Sequence, residues 1–245
     1  ICQALYEKHQ LITYPRSDCR FLPTTQFGEA KQIISMLSKA EEPLATAASQ
    51  ADASIKSKAW NNAKVSAHHA IIPTLKPVTS VNLNTFEKNV YQLICRQYLA
   101  QFYPNFQFHE VSVELDIAGG LFTSKSTKTL ELGWKKLFNA NNEDKAQLPP
   151  LKKGDVLTCS NGELLTKETQ PPKSFTDATL LAAMTNIAKF VQNPDIKKQL
   201  KDTDGLGTEA TRAGIIDLLF KRQYLKRQGK SIHASDLGRG FIQAL

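Results

Sequence analysis

The chain has 245 residues, 41% of them hydrophobic, and a formal net charge of +8 from 31 lysines and arginines against 23 aspartates and glutamates. That apolar share supports a globular core and excludes a disordered chain, while no run of about eighteen apolar residues offers a membrane span and no charged-then-apolar leader offers a signal peptide. The four cysteines, at positions 2, 19, 95 and 159, lack CxxC spacing, which argues against a zinc site or disulfide framework and fits a reducing cytoplasm.

Residues 1–10 read as the end of a helix that starts without a cap around Ala4-Leu5-Tyr6, which suggests a chain cut from something longer; the end at Leu245 is equally abrupt. Residues 11–14 then read as a short strand that breaks at Pro15, leaving Tyr14 where a side chain can reach a ligand. A tyrosine with an unperturbed pKa of ~10 is a poor nucleophile, so a catalytic role for Tyr14 needs a neighbouring cation or base. Arg16 can supply the cation, and its planar fork suits two oxygens of one phosphate. The alternative is a half-buried tyrosine packed at a strand end beside a solvated arginine. A helix is expected from Thr24 or Thr25 through Phe27, Ile33, Ile34 and Leu37, with Thr25 as N-cap, followed over 39–58 by a loop with weak helical patches. His68 and His69 come next. Imidazole titrates near neutrality and can bond a phosphate or relay a proton, but a hydrogen-bonded loop histidine explains the pair as well. No carboxylate or cysteine stands at a spacing that favours a metal.

Asn84 or Thr85 caps a helix whose core face is expected to be Phe86, Val90, Leu93, Ile94 and Tyr98. Beyond Pro104, alternation at Val111, Val113, Leu115 and Ile117, then Gly119-Gly120 and Leu121-Phe122-Thr123, predicts a hairpin. With further strands at 155–159 and 164–168 it makes residues 102–170 a small antiparallel sheet. After Pro171-Pro172, a helix is predicted from Thr176 through Leu180, Leu181, Met184, Ile187 and Val191. The turn Gly205-Leu206-Gly207 precedes a second helix, Ala210 to Lys221, with Ile215, Leu218 and Leu219 as its apolar face. Tyr224-Leu225, a turn at Gly229 and Ser231-Ile232-His233 have the length of a two-stranded wing, so the order is helix, turn, helix, wing. Lys221, Arg222, Lys226, Arg227 and Lys230 line this end and suit phosphate contact. No GxxxxGK[ST] accompanies the glycines, so a nucleotide loop is rejected; the expectation is that backbone N–H groups here and Thr208 face a phosphate. Net charge over 1–101, 102–170 and 171–245 is +4, −1 and +5, which points to two nucleic-acid-facing modules on a neutral connector, against the alternative of ordinary surface charge.

The run Leu-Ile-Thr-Tyr-Pro-Arg-Ser-Asp-Cys-Arg-Phe-Leu-Pro at 11–23 resembles the active-site tyrosine segment of type IA DNA topoisomerases. Ala-His-His-Ala-Ile-Ile-Pro at 67–73 and Asp-Gly-Leu-Gly-Thr-Glu-Ala-Thr-Arg-Ala at 204–213 resemble later motifs of that family, in the same order. The wording is most similar to the bacterial topoisomerase III branch. The resemblance implies an α+β multidomain fold, with a helical catalytic-tyrosine domain (1–101), a small antiparallel β connector (102–170) and a winged-helix-like DNA-binding part (171–245). It implies catalytic roles for Tyr14, Arg16 and His68, and DNA contacts from Ser17, Arg20, Thr208, Thr211, Arg212, Lys221 and Arg222. It further implies ATP-independent cleavage and rejoining of single-stranded DNA through a 5′-phosphotyrosine, strand passage in negatively supercoiled or catenated DNA, action as a monomer, and a bacterial cytoplasmic, nucleoid-associated location. The magnesium it implies belongs to a toprim domain that nothing in this sequence resembles. A tyrosine recombinase would need an HxxR element and a tyrosine near the other end, and a relaxase would need histidines separated by one apolar residue. A non-catalytic winged-helix DNA-binding protein is the competing reading.

Overall fold

A computed structural model describes residues 1–65, 67–138, 147–201 and 205–244. The chain is α+β and folds as two compact units, Ile1–Glu163 and Leu164–Leu245.

The first unit begins with a π-helical turn, Ala4–Lys8, in which the His9 N–H donates to the Ala4 carbonyl at 3.0 Å. Gln10 takes a left-handed φ of 57°, and the Leu11 N–H returns to the Leu5 carbonyl at 2.9 Å, ending the helix. The strand expected at 11–14 is not formed. It shrinks to one antiparallel bridge, Ile12 with Pro73, flanked by Thr13 N–H to the Ile72 carbonyl and Thr74 N–H to the Leu11 carbonyl, both 2.9 Å. Pro15 has no N–H to give to a next pair, and the Leu11 and Ile72 N–H groups donate to the Leu5 carbonyl and the Thr13 hydroxyl rather than across the pairing, so the ladder does not propagate. Farther on, Leu22 makes a parallel bridge to Trp60, and the Ala70 N–H donates to the Phe21 carbonyl at 2.8 Å.

Thr25 is not the N-cap that its position suggested. A 3₁₀ turn, Thr24–Glu29, starts directly after Pro23 and runs into α1 (Ala30–Leu37); the Thr24 N–H is satisfied by Asn62 Oδ1 at 2.7 Å, from a distant part of the chain. α2 (Leu44–Ser49) is the helical patch within the expected loop. Asn84 does cap α3 (Thr85–Leu99), in a reciprocal box with Glu87. The face that α3 buries is Glu87, Tyr91, Cys95, Tyr98 and Leu99; of the expected core face, Tyr98 is buried and Val90 and Ile94 pack partly buried against the core, while Phe86 is 71% exposed and Leu93 is also exposed, so the face is rotated toward Tyr91 and Cys95. Two overlapping apolar stripes exist on this helix and share Tyr98, which meets Phe102 at 5.1 Å in an aromatic core that also holds Phe27 against Trp60 at 5.1 Å. Burial pushes the Cys95 thiol up to about 12 and raises the Tyr91 and Tyr98 phenols above the usual tyrosine range. Glu87 also pairs with His9, Nε2 to Oε1 at 3.5 Å, tying the π-helical turn to the start of α3.

Beyond α3, β1 (Gln107–Ile117) and β2 (Gly120–Glu131) form an antiparallel hairpin in which Leu115 faces Phe122 and Ile117 faces Gly120. The turn lies at Ala118-Gly119, both at positive φ, one residue earlier than expected; this handedness matches the twist of the flanking strands. The strands predicted at 155–159 and 164–168 are absent. A strand needs a partner for its N–H and C=O groups, neither segment pairs with any described residue, and Val156 and Leu164 are 95% exposed. The expected sheet is therefore a single hairpin among the described residues.

In the second unit, Thr176 caps α4 (Asp177–Thr185) through a box with Thr179. The expected continuation to Val191 fails at Asn186, whose side chain turns back to the Ala182 carbonyl at 2.9 Å; a short 3₁₀ turn, Ile187–Lys189, follows. α5 (Pro194–Lys201) was not anticipated. α6 (Arg212–Lys221) buries Arg212 and Ile216, whereas Ile215 and Leu218 are exposed, so its inner face also differs from the expected one. β3 (Leu225–Gln228) and β4 (Ser231–Ala234) form the expected two-stranded ribbon, and Phe175 bridges to Ile232 on its side. Ser235 caps a last helix, α7 (Asp236–Gln243), accepting from the Gly238 N–H at 2.9 Å.

Candidate active site

The pairing of residues 11–13 with 72–74 brings Tyr14 and His68 together from positions 54 residues apart in the sequence. Thr13 strengthens that pairing by accepting the Ile72 N–H on its hydroxyl at 3.0 Å, and the Thr74 hydroxyl donates to the Gln10 carbonyl at 2.7 Å. The Tyr14 ring is half-buried and stacks on His68, centroids 4.6 Å apart and planes 24° apart; Tyr6 meets it nearly perpendicularly, at 5.7 Å and 84°. Arg16 and Arg20 are exposed, and neither makes an ion pair or hydrogen bond among the described residues. A surface guanidinium without an internal partner keeps all its donors for an incoming anion.

Ser17, expected on the DNA-facing surface, is committed inwardly: its hydroxyl donates to the His69 carbonyl at 2.8 Å and accepts from the Cys19 N–H at 3.2 Å. His69 has a role that its place in the sequence does not announce. Its Nδ1 lies 2.7 Å from the Ala70 carbonyl, which can only accept, so Nδ1 carries the proton and Nε2 accepts from the Gln26 amide at 3.0 Å. His69 thus ties the histidine loop to the tyrosine loop through Ser17 and to the 3₁₀ turn through Gln26. Nothing in the spacing of residues 17, 26 and 69 signals this, because the three meet only once the chain is folded.

The candidates of the second unit cluster around the glycine turn. Asp204 lies outside the described residues. Gly205 has a φ of +86°, and a Cβ there would lie 2.3 Å from the Met184 carbonyl oxygen and 2.7 Å from that of Thr185. The Leu206 N–H donates to the Met184 carbonyl at 2.9 Å, and the Thr208 N–H donates to Thr211 Oγ1 at 2.8 Å. These two N–H groups of the turn are therefore used within the fold, and Gly205 serves close approach to the end of α4. The Thr208 and Thr211 side chains remain exposed, their hydroxyl oxygens 3.2 Å apart. Arg212, expected at the DNA surface, is 3% exposed, and its Nε donates to the Leu206 carbonyl at 3.1 Å. Lys221 and Arg222 are exposed at the end of α6. Arg227, in the same basic run, forms two bonds to the Asp177 carboxylate, at 2.5 and 2.9 Å, and lies over the Phe220 ring. That hydrogen-bonded guanidinium holds the Asp177 carboxyl below the usual range. Among the described residues no group of three histidine, cysteine or acidic side chains could hold a metal ion, so no magnesium ligand is assigned.

Comparison with known proteins gives the chain a family. A family model described as DNA topoisomerase matches residues 1–245, and the chain belongs to that family. Proteins named DNA topoisomerase 3 are 51% identical in Pasteurella multocida and 50% in Vibrio cholerae, over 100% of this chain and 38% of each relative; one from Bacillus subtilis is 38% identical over 99% of the chain and 35% of that relative. These place it in the type IA class, in the topoisomerase III branch. The solved structure of full-length topoisomerase I from Thermotoga maritima shares the fold, with a TM-score of 0.60 at 22% identity over 96% of this chain and 34% of that one. The chain thus spans well under half the length of the relatives it matches.

Gly205→Ala is expected to destabilise the second unit by more than about 2 kcal/mol, because a left-handed alanine is strained and its methyl group overlaps two carbonyl oxygens. Urea unfolding of the variant checks this; an unchanged midpoint would mean that the turn relaxes freely.

Proposed function

We propose that this chain carries the strand-cleaving tyrosine of an ATP-independent type IA DNA topoisomerase. The observation that supports this most is the Tyr14 ring, half-buried against His68 and two residues from an exposed Arg16 without an internal partner. The Tyr14 oxygen attacks a backbone phosphorus of single-stranded DNA, forming a P–O bond to tyrosine as the P–O3′ bond breaks; the phenol loses its proton and the released strand end leaves as a 3′-hydroxyl. One phosphodiester replaces another, so rejoining is the same reaction reversed and needs no ATP. Arg16 stabilises the charge that builds on the equatorial phosphate oxygens, an effect larger in the transition state than in the ground state. His68 bonds the same phosphate from beside the ring. Strand passage through the break relaxes negative supercoils and separates catenated DNA. Magnesium, which the family implies, would be held by residues other than the described ones, and no step is assigned to it.

Residues 1–101 form the catalytic part in this reading, 102–170 the connector and 171–245 a winged-helix-like DNA-binding part, built on α6 with β3 and β4 as wing. Arg20, Thr208, Thr211, Lys221 and Arg222 are the surface side chains proposed to meet phosphates. Ser17 and Arg212 act within their own units, Ser17 by fixing the tyrosine loop and Arg212 by bracing the glycine turn. No helix among the described residues is long and apolar enough to cross a membrane. The enzyme is read as a monomer of the bacterial cytoplasm, working at the nucleoid. A non-catalytic winged-helix protein would leave the paired Tyr14 and His68 unexplained.

In the protein that carries this chain, Tyr14→Phe is expected to abolish denaturant-resistant DNA adducts while leaving oligonucleotide binding nearly intact, because only the attacking atom is removed. A persistent adduct would overturn the assignment. Arg16→Lys keeps the charge and loses the fork, so cleavage at saturating DNA should fall by about tenfold or more. Equal rates would reduce Arg16 to general attraction.

A further inference from the structure

Nothing at the oxygen end of Tyr14 holds it in place, since its hydroxyl makes no hydrogen bond among the described residues. Its direction is set by its ring contacts. The His68 stack fixes the tilt of the ring but lets it slide within its own plane, as parallel rings do. A second ring contact at another angle restrains it further, and Tyr6 meets it nearly perpendicularly at 5.7 Å and 84°. We propose that Tyr6 is a positioning residue for strand cleavage, holding the Tyr14 oxygen on its line of attack. This rests on the assignment of Tyr14 as the nucleophile.

Three features show that the fold commits structure to placing Tyr6. It lies in a π-helical turn, a rare form that recurs beside functional sites, and its neighbour Leu5 is fully buried, anchoring the turn. The turn closes on His9, whose N–H donates to the Ala4 carbonyl and whose buried ring lies with Nε2 3.5 Å from Glu87 Oε1, a carboxylate fixed in the α3 capping box. The exit residue Gln10 is held left-handed, a conformation unfavourable for a side chain other than glycine and kept here by the Leu11 and Thr74 bonds on either side of it. Tyr6 itself is 36% exposed, so packing in the core does not account for its aromatic ring. The aromatic ring also suits a positioning role chemically, because a flat, stiff side chain restrains a second ring at low cost in conformational freedom.

The test compares Tyr6→Phe, Tyr6→Met and Tyr6→Ala in the full-length enzyme. Single-turnover adduct formation is measured at saturating single-stranded oligonucleotide, with the dissociation constant and thermal midpoint of each variant. Phe keeps the perpendicular ring and should cleave like the parent. Met fills similar space without a ring and should cleave about three- to tenfold more slowly at unchanged affinity, as should Ala, the range expected from losing one aromatic pair. Equal rates for Phe and Met overturn the proposal, and that pair decides even if the Ala variant unfolds. Weaker binding with unchanged cleavage at saturation overturns it as well, since Tyr6 would then be a DNA contact. Tyr14→Phe run alongside separates the two claims: if it still forms the adduct, the nucleophile assignment fails; if it does not and the Tyr6 variants all match the parent, only the positioning role fails.

Discussion

The candidate site depends on a backbone pairing only a few residues long. Thr13 and Thr74 donate to Ile72 and Leu11 across the Ile12–Pro73 bridge, and the pairing does not grow into a strand because Pro15 lacks an N–H and the Leu11 and Ile72 N–H groups are used elsewhere. Because the ladder ends there, the chain is free to turn at Tyr14 and to present Arg16 to solvent. Because it exists at all, the histidine segment arrives beside the tyrosine. A longer strand would place Tyr14 in a sheet, with its side chain confined to one face.

The surroundings stiffen this junction by different means. Below it lies an aromatic core in which Trp60, Tyr98 and Phe102 pack together, and where burial keeps the phenols and the Cys95 thiol in their neutral forms. Beside it, His69 acts as a connector, one ring nitrogen bonded to the Ala70 carbonyl and the other to the Gln26 amide, so adjacent histidines divide into one that faces the tyrosine and one that holds the loop. In the second unit, Gly205 and Arg212 play comparable parts for the glycine turn, through a carbonyl contact too close for any Cβ and a buried guanidinium.

Much of this was legible in residue order, and the failures share a cause. Caps with local partners, Asn84 with Glu87 and Thr176 with Thr179, were readable because the whole motif lies within four residues. The start of the 3₁₀ turn at Thr24 was not, since the acceptor for the Thr24 N–H is the distant Asn62. The hairpin and the ribbon were visible from alternation and turn residues, whereas 155–159 and 164–168 have strand composition without a partner strand among the described residues. Helix faces on α3 and α6 were partly misjudged because apolar type does not choose between overlapping stripes; Tyr91, Cys95 and a buried Arg212 do. Tyr14, Arg16 and His68 stood out through their resemblance to a family, and the structure brings Tyr14 and His68 into contact. Tyr6 and His69 carried no such mark, because their meaning lies in contacts made by folding.

The central claim is that the Tyr14 oxygen becomes covalently linked to DNA. Trapping the full-length enzyme on a single-stranded oligonucleotide, digesting with nuclease and trypsin, and locating the added nucleotide by mass spectrometry tests it directly. Cleavage after Lys8 and Arg16 releases residues 9–16, a peptide with Tyr14 as its single tyrosine and with Tyr6 excluded. The predicted result is a 5′-linked nucleotide on that peptide. A nucleotide on the peptide that carries Tyr6, or on any other, would contradict the claim.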